Sequence, residues 1–139
     1  MQITRDDLND LLQEVAGEEI HQLADKVSQK AVIHILQNPT QQTLLAPVLD
    51  PVSNTTFYGG EVLVTTAVVQ VHGSNGWAMV MDDNHKLALD MAILDGAWGA
   101  ALFQEDITQL ARKGAELQAG NRQTERNEVA ATKVNFDLL

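Results

Sequence analysis

There is no cysteine in this chain, which excludes disulfides and cysteine-based zinc sites. A cysteine-free chain fits a reducing, cytoplasmic setting. Basic residues are scarce as well: nine Lys and Arg face nineteen Asp and Glu, for a formal net charge of -10. Nucleic-acid binding rests on neutralising phosphates with Lys and Arg, so this balance argues against DNA, RNA and anionic membranes as partners. It also disfavours a free polyphosphate held by this chain alone. No apolar run approaches the ~20 residues needed to span a bilayer. The opening stretch, MQITRDDLNDLL, has neither a basic start nor a continuous apolar core, and so predicts no secretory leader. Asn54-Thr55-Thr56 spells a glycosylation acceptor, which without secretion reads as chance. Walker-type loops and Gly-x-Gly-x-x-Gly are missing. The serines, Ser28, Ser53 and Ser74, offer no activated nucleophile.

What is present suits one domain, since domains commonly run to roughly 100–150 residues. Thr4 with Asp7 reads as a capping-box variant. Leu8, Leu11, Leu12 and Val15 follow at helical spacing, and Gly17 interrupts them. A second helix is expected from Glu18, with Ile20, Leu23, Ala24, Val27, Ala31 and Ile35 on its apolar side and Asn38-Pro39 as its stop. Residues 1–38 are thus expected to be helical.

Residues 43–82 read as β-structure. Residues 43–49 carry Pro47, which cannot donate to a ladder and so predicts an edge strand or bulge. Residues 50–54 form a turn cluster. Gly59-Gly60 reads as a tight turn or bulge ahead of a strand over 61–72. That strand is apolar on both sides: Leu63, Ala67, Val69 and Val71 on one, Val62, Val64 and Val68 on the other. It is expected to be central and covered on both faces, by helices or by a partner. Residues 73–76 predict a hairpin connection, and 77–81 the returning strand. From Asn84 the period becomes helical, with Asp83 or Asn84 as cap. Ala92, Gly96 and Ala100 form a small-residue stripe, and Gly96 and Gly99 predict close approach of another backbone. Asp106 is expected to cap a further helix, broken at Gly120-Asn121, and residues 133–139 form an apolar tail. The fold class expected is α+β: an antiparallel sheet of about three to four strands packed with N- and C-terminal helices.

The acids offer weak chemistry. Glu61 opens the central strand, and Asp82-Asp83-Asn84 links a strand to a helix, where acids commonly serve as caps. Glu18-x-x-His21 is half of a carboxylate-bridged metal motif without its other half. His34, His72 and His85 lack the paired spacing of a zinc site, so no metal is expected. Catalytic candidates reduce to Glu61, Asp82 and Asp83.

A more specific pattern runs through the last two thirds of the chain. Phe57-x-x-Gly60-Glu61-Val62-Leu63-Val64-Thr65 is followed by a hairpin, then by a helix with Ala88, Ala92 and Asp95-Gly96. The chain closes on Val129, Thr132, Lys133, Val134, Asn135 and Phe136. In order and spacing this resembles the PhnG family, a subunit of the carbon–phosphorus lyase system of phosphonate degradation. The resemblance implies that Phe57, Gly60, Glu61, Thr65, Asp95, Gly96, Thr132, Val134 and Phe136 are family-motif or partner-interface residues. It implies an accessory subunit in α-D-ribose 1-methylphosphonate 5-triphosphate synthesis, where a phosphonate displaces adenine from ATP. ATP would be a substrate of the complex, with no cofactor in this chain. The partners implied are PhnI, PhnH, PhnJ and PhnL. Family members often carry Gly-Arg-Asp where Asp82-Asp83-Asn84 stands here, and basic residues where Leu44-Leu45-Ala46-Pro47 stands. Both departures remove positive charge and argue against direct contact with phosphate.

Three readings stay open: the accessory subunit, a diverged stand-alone binding or scaffold module, and a stand-alone hydrolase using Glu61 with Asp82 or Asp83. The two-sided apolar strand, the small-residue helix face and the apolar tail also predict self-association of the isolated chain.

Overall fold

A computed structural model describes residues 2–49 and 56–137, with side-chain placements for 2–45 and 60–121. A 3-10 turn, Arg5–Asp7, leads into α1, Leu8–Leu12. Then come α2 (Gly17–Lys30), β1 (Ile33–Leu49), β2 (Thr56–Val71), β3 (Ser74–Met81), α3 (His85–Gly99) and α4 (Gln104–Asp137). The strands form one antiparallel sheet in the order β1-β2-β3, giving the expected α+β class.

The start of the chain folds as its sequence asks. The Asp7 carboxylate accepts from the Thr4 backbone N–H at 2.9 Å and from its hydroxyl at 3.0 Å. Leu8, Leu11, Leu12 and Val15 are buried. α2 buries Ile20, Leu23, Ala24 and Val27. It ends at Lys30, eight residues short of the expected stop at Asn38, because Ala31 is already extended. From Ile33 the alternation of Ile33 and Ile35 dominates, and these pair with Val71 and Val69. A long-range ladder there overrides a weaker local helical spacing. His34 therefore lies on a strand, not on a helix surface. Asn38-Pro39 falls in an irregularity between the pairs Gln37–Val68 and Thr40–Thr66. Proline is tolerated there because β1 is an edge strand.

β2 is central, as expected. Gly60 lies inside it, paired with Ala46, and Gly59 is the extra residue of a bulge between that pair and Pro47–Tyr58. The bulge expectation holds and the turn does not. The turn cluster at 50–54 and the Asn54-Thr55-Thr56 sequon fall wholly or partly outside the described residues. At the other end the connection is His72-Gly73, one residue earlier than expected, with φ of 47° and 80°. Two positive φ angles suit the primed turn that matches strand twist.

α3 covers one face of the sheet, and α2 packs behind α3. Ala67, Val69, Val71, Ala78 and Val80 of that face join Met91, Ala92, Leu94 and Ala97 in the core. Asn84 caps α3, its Oδ1 accepting from the Leu87 N–H at 3.1 Å. Gly96 has the close backbone neighbour expected of it: a Cβ on Gly76 would run into the Ala92 carbonyl oxygen and the Gly96 nitrogen. Gly99 instead makes room for side chains, those of Ser74 and Arg5. α4 begins at Gln104, so Asp106 sits in its first turn rather than capping it. The helix passes through Gly120-Asn121 without the expected break. Its backbone stays helical to Asp137, through most of the expected tail. Among the described residues no helix is long and apolar enough to cross a membrane.

Candidate functional site

Glu61, Asp82 and Asp83 lie where β3 ends alongside β2, because Met81 pairs with Val64 and the Asp82 N–H donates to the Leu63 carbonyl at 2.8 Å; Glu61 is inside β2 rather than opening it. All three are exposed. Asp82 has a φ of 64° and serves the turn through its backbone. Asp83 lies 3.3 Å from His85 Nε2, both side chains more than half exposed. Carboxylates open to water lack the enclosure that excludes solvent from a reaction. Among the described residues no cluster of His, Asp and Glu could hold a metal.

The family-motif residues have architectural tasks. Thr65 is fully buried. Its hydroxyl donates to the Asp82 carbonyl at 2.7 Å and accepts from the Asn84 N–H at 3.1 Å. One side chain thus ties the central strand to the turn that launches α3. Asp95 reaches from α3 to β3: its Oδ2 accepts from the Trp77 N–H at 2.9 Å, and its Oδ1 pairs with Arg5 Nε at 3.0 Å. The Arg5 guanidinium also donates to the Asn75 carbonyl. Gly96 admits β3 at Gly76. Phe57, Thr132, Val134 and Phe136 have strand or helix backbones; their side chains lie outside the described placements.

Next to this network, Asn9 and Gln13 of the N-terminal helical region complete the outer edge of β3. The Asn9 amide accepts from the Met79 N–H at 2.9 Å and donates to the Met79 carbonyl at 2.9 Å, as a neighbouring strand would. Gln13 donates to the same carbonyl at 3.1 Å and accepts from the Met81 N–H at 3.3 Å. A small cavity of about 190 Å³ sits among Arg5, Asp6, Asn9, Trp77 and Asp95. Larger open clefts lie along α4. One, of about 420 Å³, is lined by Trp98, Gln104, Glu105, Thr108, Gln109 and Arg112. Another, of about 360 Å³, is bridged by Lys113 and Glu19 at 2.6 Å.

A second pair escaped sequence reading. Asp90 of α3 is buried and accepts from or donates to His21 Nδ1 of α2 at 3.0 Å. Burial pushes the Asp90 carboxyl above its ordinary value, and the bond to His21 pulls partly back. Nothing local marks such a pair: the two residues are 69 positions apart. The one available signal was an acid inside the apolar stretch 87–94 of α3.

The remaining feature is a surface. The face of β2 away from α3 carries Val62, Val64, Thr66 and Val68, beside Leu44 of β1 and Trp77 and Met81 of β3. Leu44, Trp77 and Met81 are exposed. α3 is the helix that packs on β2, and on the face away from it Val64 and Thr66 are nonetheless buried. Beyond Met81 the sheet continues as β1 and β2 alone, with Leu44, Leu45 and Leu63 exposed. Glu61 is the one Asp, Glu, Lys or Arg in all three strands. Gln37, Thr40 and Gln42 of β1 lie opposite Val68, Thr66 and Val64 on the same face, so it mixes uncharged polar and apolar side chains. A search of curated proteins gives no match. A family model, described as phosphonate metabolism protein PhnG, matches residues 3–139.

Proposed function

The chain belongs to the PhnG family and so has a role in phosphonate metabolism, and from that premise we propose that it is an accessory subunit of the complex making α-D-ribose 1-methylphosphonate 5-triphosphate. In that reaction the ribose triphosphate of ATP passes to a phosphonate and adenine leaves. The family match over nearly the whole chain carries this reading. Displacement at an anomeric carbon calls for stabilising an oxocarbenium-like centre and for cations on the triphosphate. This chain offers exposed carboxylates and a net charge of -10. Its share is therefore to shape and hold partners, with the chemistry done by companion subunits: PhnI chiefly, beside PhnH, PhnJ and PhnL.

The test is co-expression with those companions. The chain copurifies with them, and deleting it abolishes adenine release and growth on methylphosphonate. Failure to copurify, together with undiminished growth, overturns the proposal. ATP turnover by the isolated chain that Glu61→Gln abolishes would favour the hydrolase instead.

A further inference from the structure

Every large exposed apolar side chain among the described residues, Leu117 excepted, lies on the sheet or one residue before it. They concentrate on β1, with Ile35, Leu36, Leu44 and Leu45, and Val32 just before it. β1 is also the edge to which no described strand adds, since the order is β1-β2-β3. We propose that the outer edge of β1, over residues 40–45, takes up an extended strand from a companion subunit, apolar at alternate positions and flanked by Lys or Arg. The inference rests on the reading above that the chain works in a complex.

Four observations support it. First, residues 56–63 of β2 have no β3 beside them, so a ribbon of two strands extends about 25 Å at ~3.3 Å per residue. Two-stranded ribbons are marginal in water, and a third strand with apolar side chains remedies this. Second, sheet edges that must stay free are commonly guarded by charge, and β1 has no Asp, Glu, Lys or Arg anywhere. Third, Pro39 and Pro47 bracket the stretch. Neither has an N–H to offer, so added pairing is confined between them, where every residue keeps its donor. Fourth, the surface where β3 ends is acidic through Glu61, Asp82 and Asp83, and no strand carries a Lys or Arg. A second copy of this chain would bring the same acids and the same net charge of -10. A strand with Lys or Arg flanks complements these acids and is steered in by them.

The test uses the full chain with its companions. Hydrogen exchange at amides 40–45 slows in the complex relative to the isolated chain. Leu44→Glu with Leu45→Glu weakens the complex by about tenfold or more, while Leu117→Glu leaves it intact. Affinity falls between about 50 and about 500 mM salt. If the wild-type chain binds no companion, the complex reading fails, and this inference with it. If it binds with unchanged exchange at 40–45, or with no salt dependence, only this inference fails. A dimer of the isolated chain that the paired glutamates dissolve would assign the edge to a second copy and overturn the proposal. The exchange measurement needs no variant, so a misfolded double mutant does not rescue the idea.

Discussion

Along β3, the side chains of Arg5, Asn9, Gln13 and Asp95 meet the outward backbone groups of Asn75, Trp77, Met79 and Met81. Along β1, the other edge of the same sheet, no described strand does the same work. The difference teaches how one edge is satisfied from within the chain while the other has no described strand beside it. An unpaired edge invites another strand, and proteins close the edges they do not use. Here one edge is closed by side chains from two stretches of the sequence, residues 5–13 and Asp95, while no described strand pairs with the other.

The comparison can be broken most severely at Gly76. A side chain there collides with the backbone of α3, so Gly76→Ala should cost about 3 kcal/mol or more, as forced overpacking does at its upper end. Gly60, with nothing within 4 Å of an added Cβ, should accept alanine at a cost of roughly 0.5 kcal/mol or less. Urea midpoints of the two variants settle the contrast; equal losses would refute it. Asp95→Ala comes next. It leaves the Trp77 N–H and Arg5 without their acceptor and should cost about 2 kcal/mol. Asn9→Ala should cost about 1 kcal/mol and speed exchange at the Met79 amide, with no change at residues 40–45.

Two smaller effects sharpen the picture. Leu45→Lys, on the bare ribbon, should move stability by less than about 0.5 kcal/mol, unlike any change at the closed edge. Behind that closed edge, Asp90 should leave a pH signature. Its carboxyl is raised above an ordinary 3.8, so the folded chain holds the proton more readily than the unfolded one. That contribution is full below pH 3.8 and is lost as pH rises through the raised value. Wild type should therefore lose stability relative to Asp90→Asn as pH climbs from 3.8. A difference that stays flat with pH would contradict the burial argument.

The closed edge and the core were legible in part. Thr4 with Asp7, the Asn84 cap, the central position of β2 and the tight approach at Gly96 all follow from local chemistry. The first half of β1 did not, because Ala31 and Ile35 fall at helical spacing and only pairing with Val71 and Val69 decides otherwise. Gly76 read as a turn residue, although its smallness serves packing instead. Arg5 with Asp95, and His21 with Asp90, join residues 90 and 69 positions apart, beyond any periodicity. Of the candidate site, the acids were visible but not their openness to water. Thr65 and Asp95 stood out only through family resemblance, and the structure supplies their reasons.

The amide of Asn9 imitates one peptide unit toward Met79, accepting and donating in a single plane. Its effect resembles that of a chain terminator in a polymerisation. A sheet with two live ends would grow from both and build filaments. With one end stopped, strand addition to a copy of this chain could run in a single direction, which works against filaments.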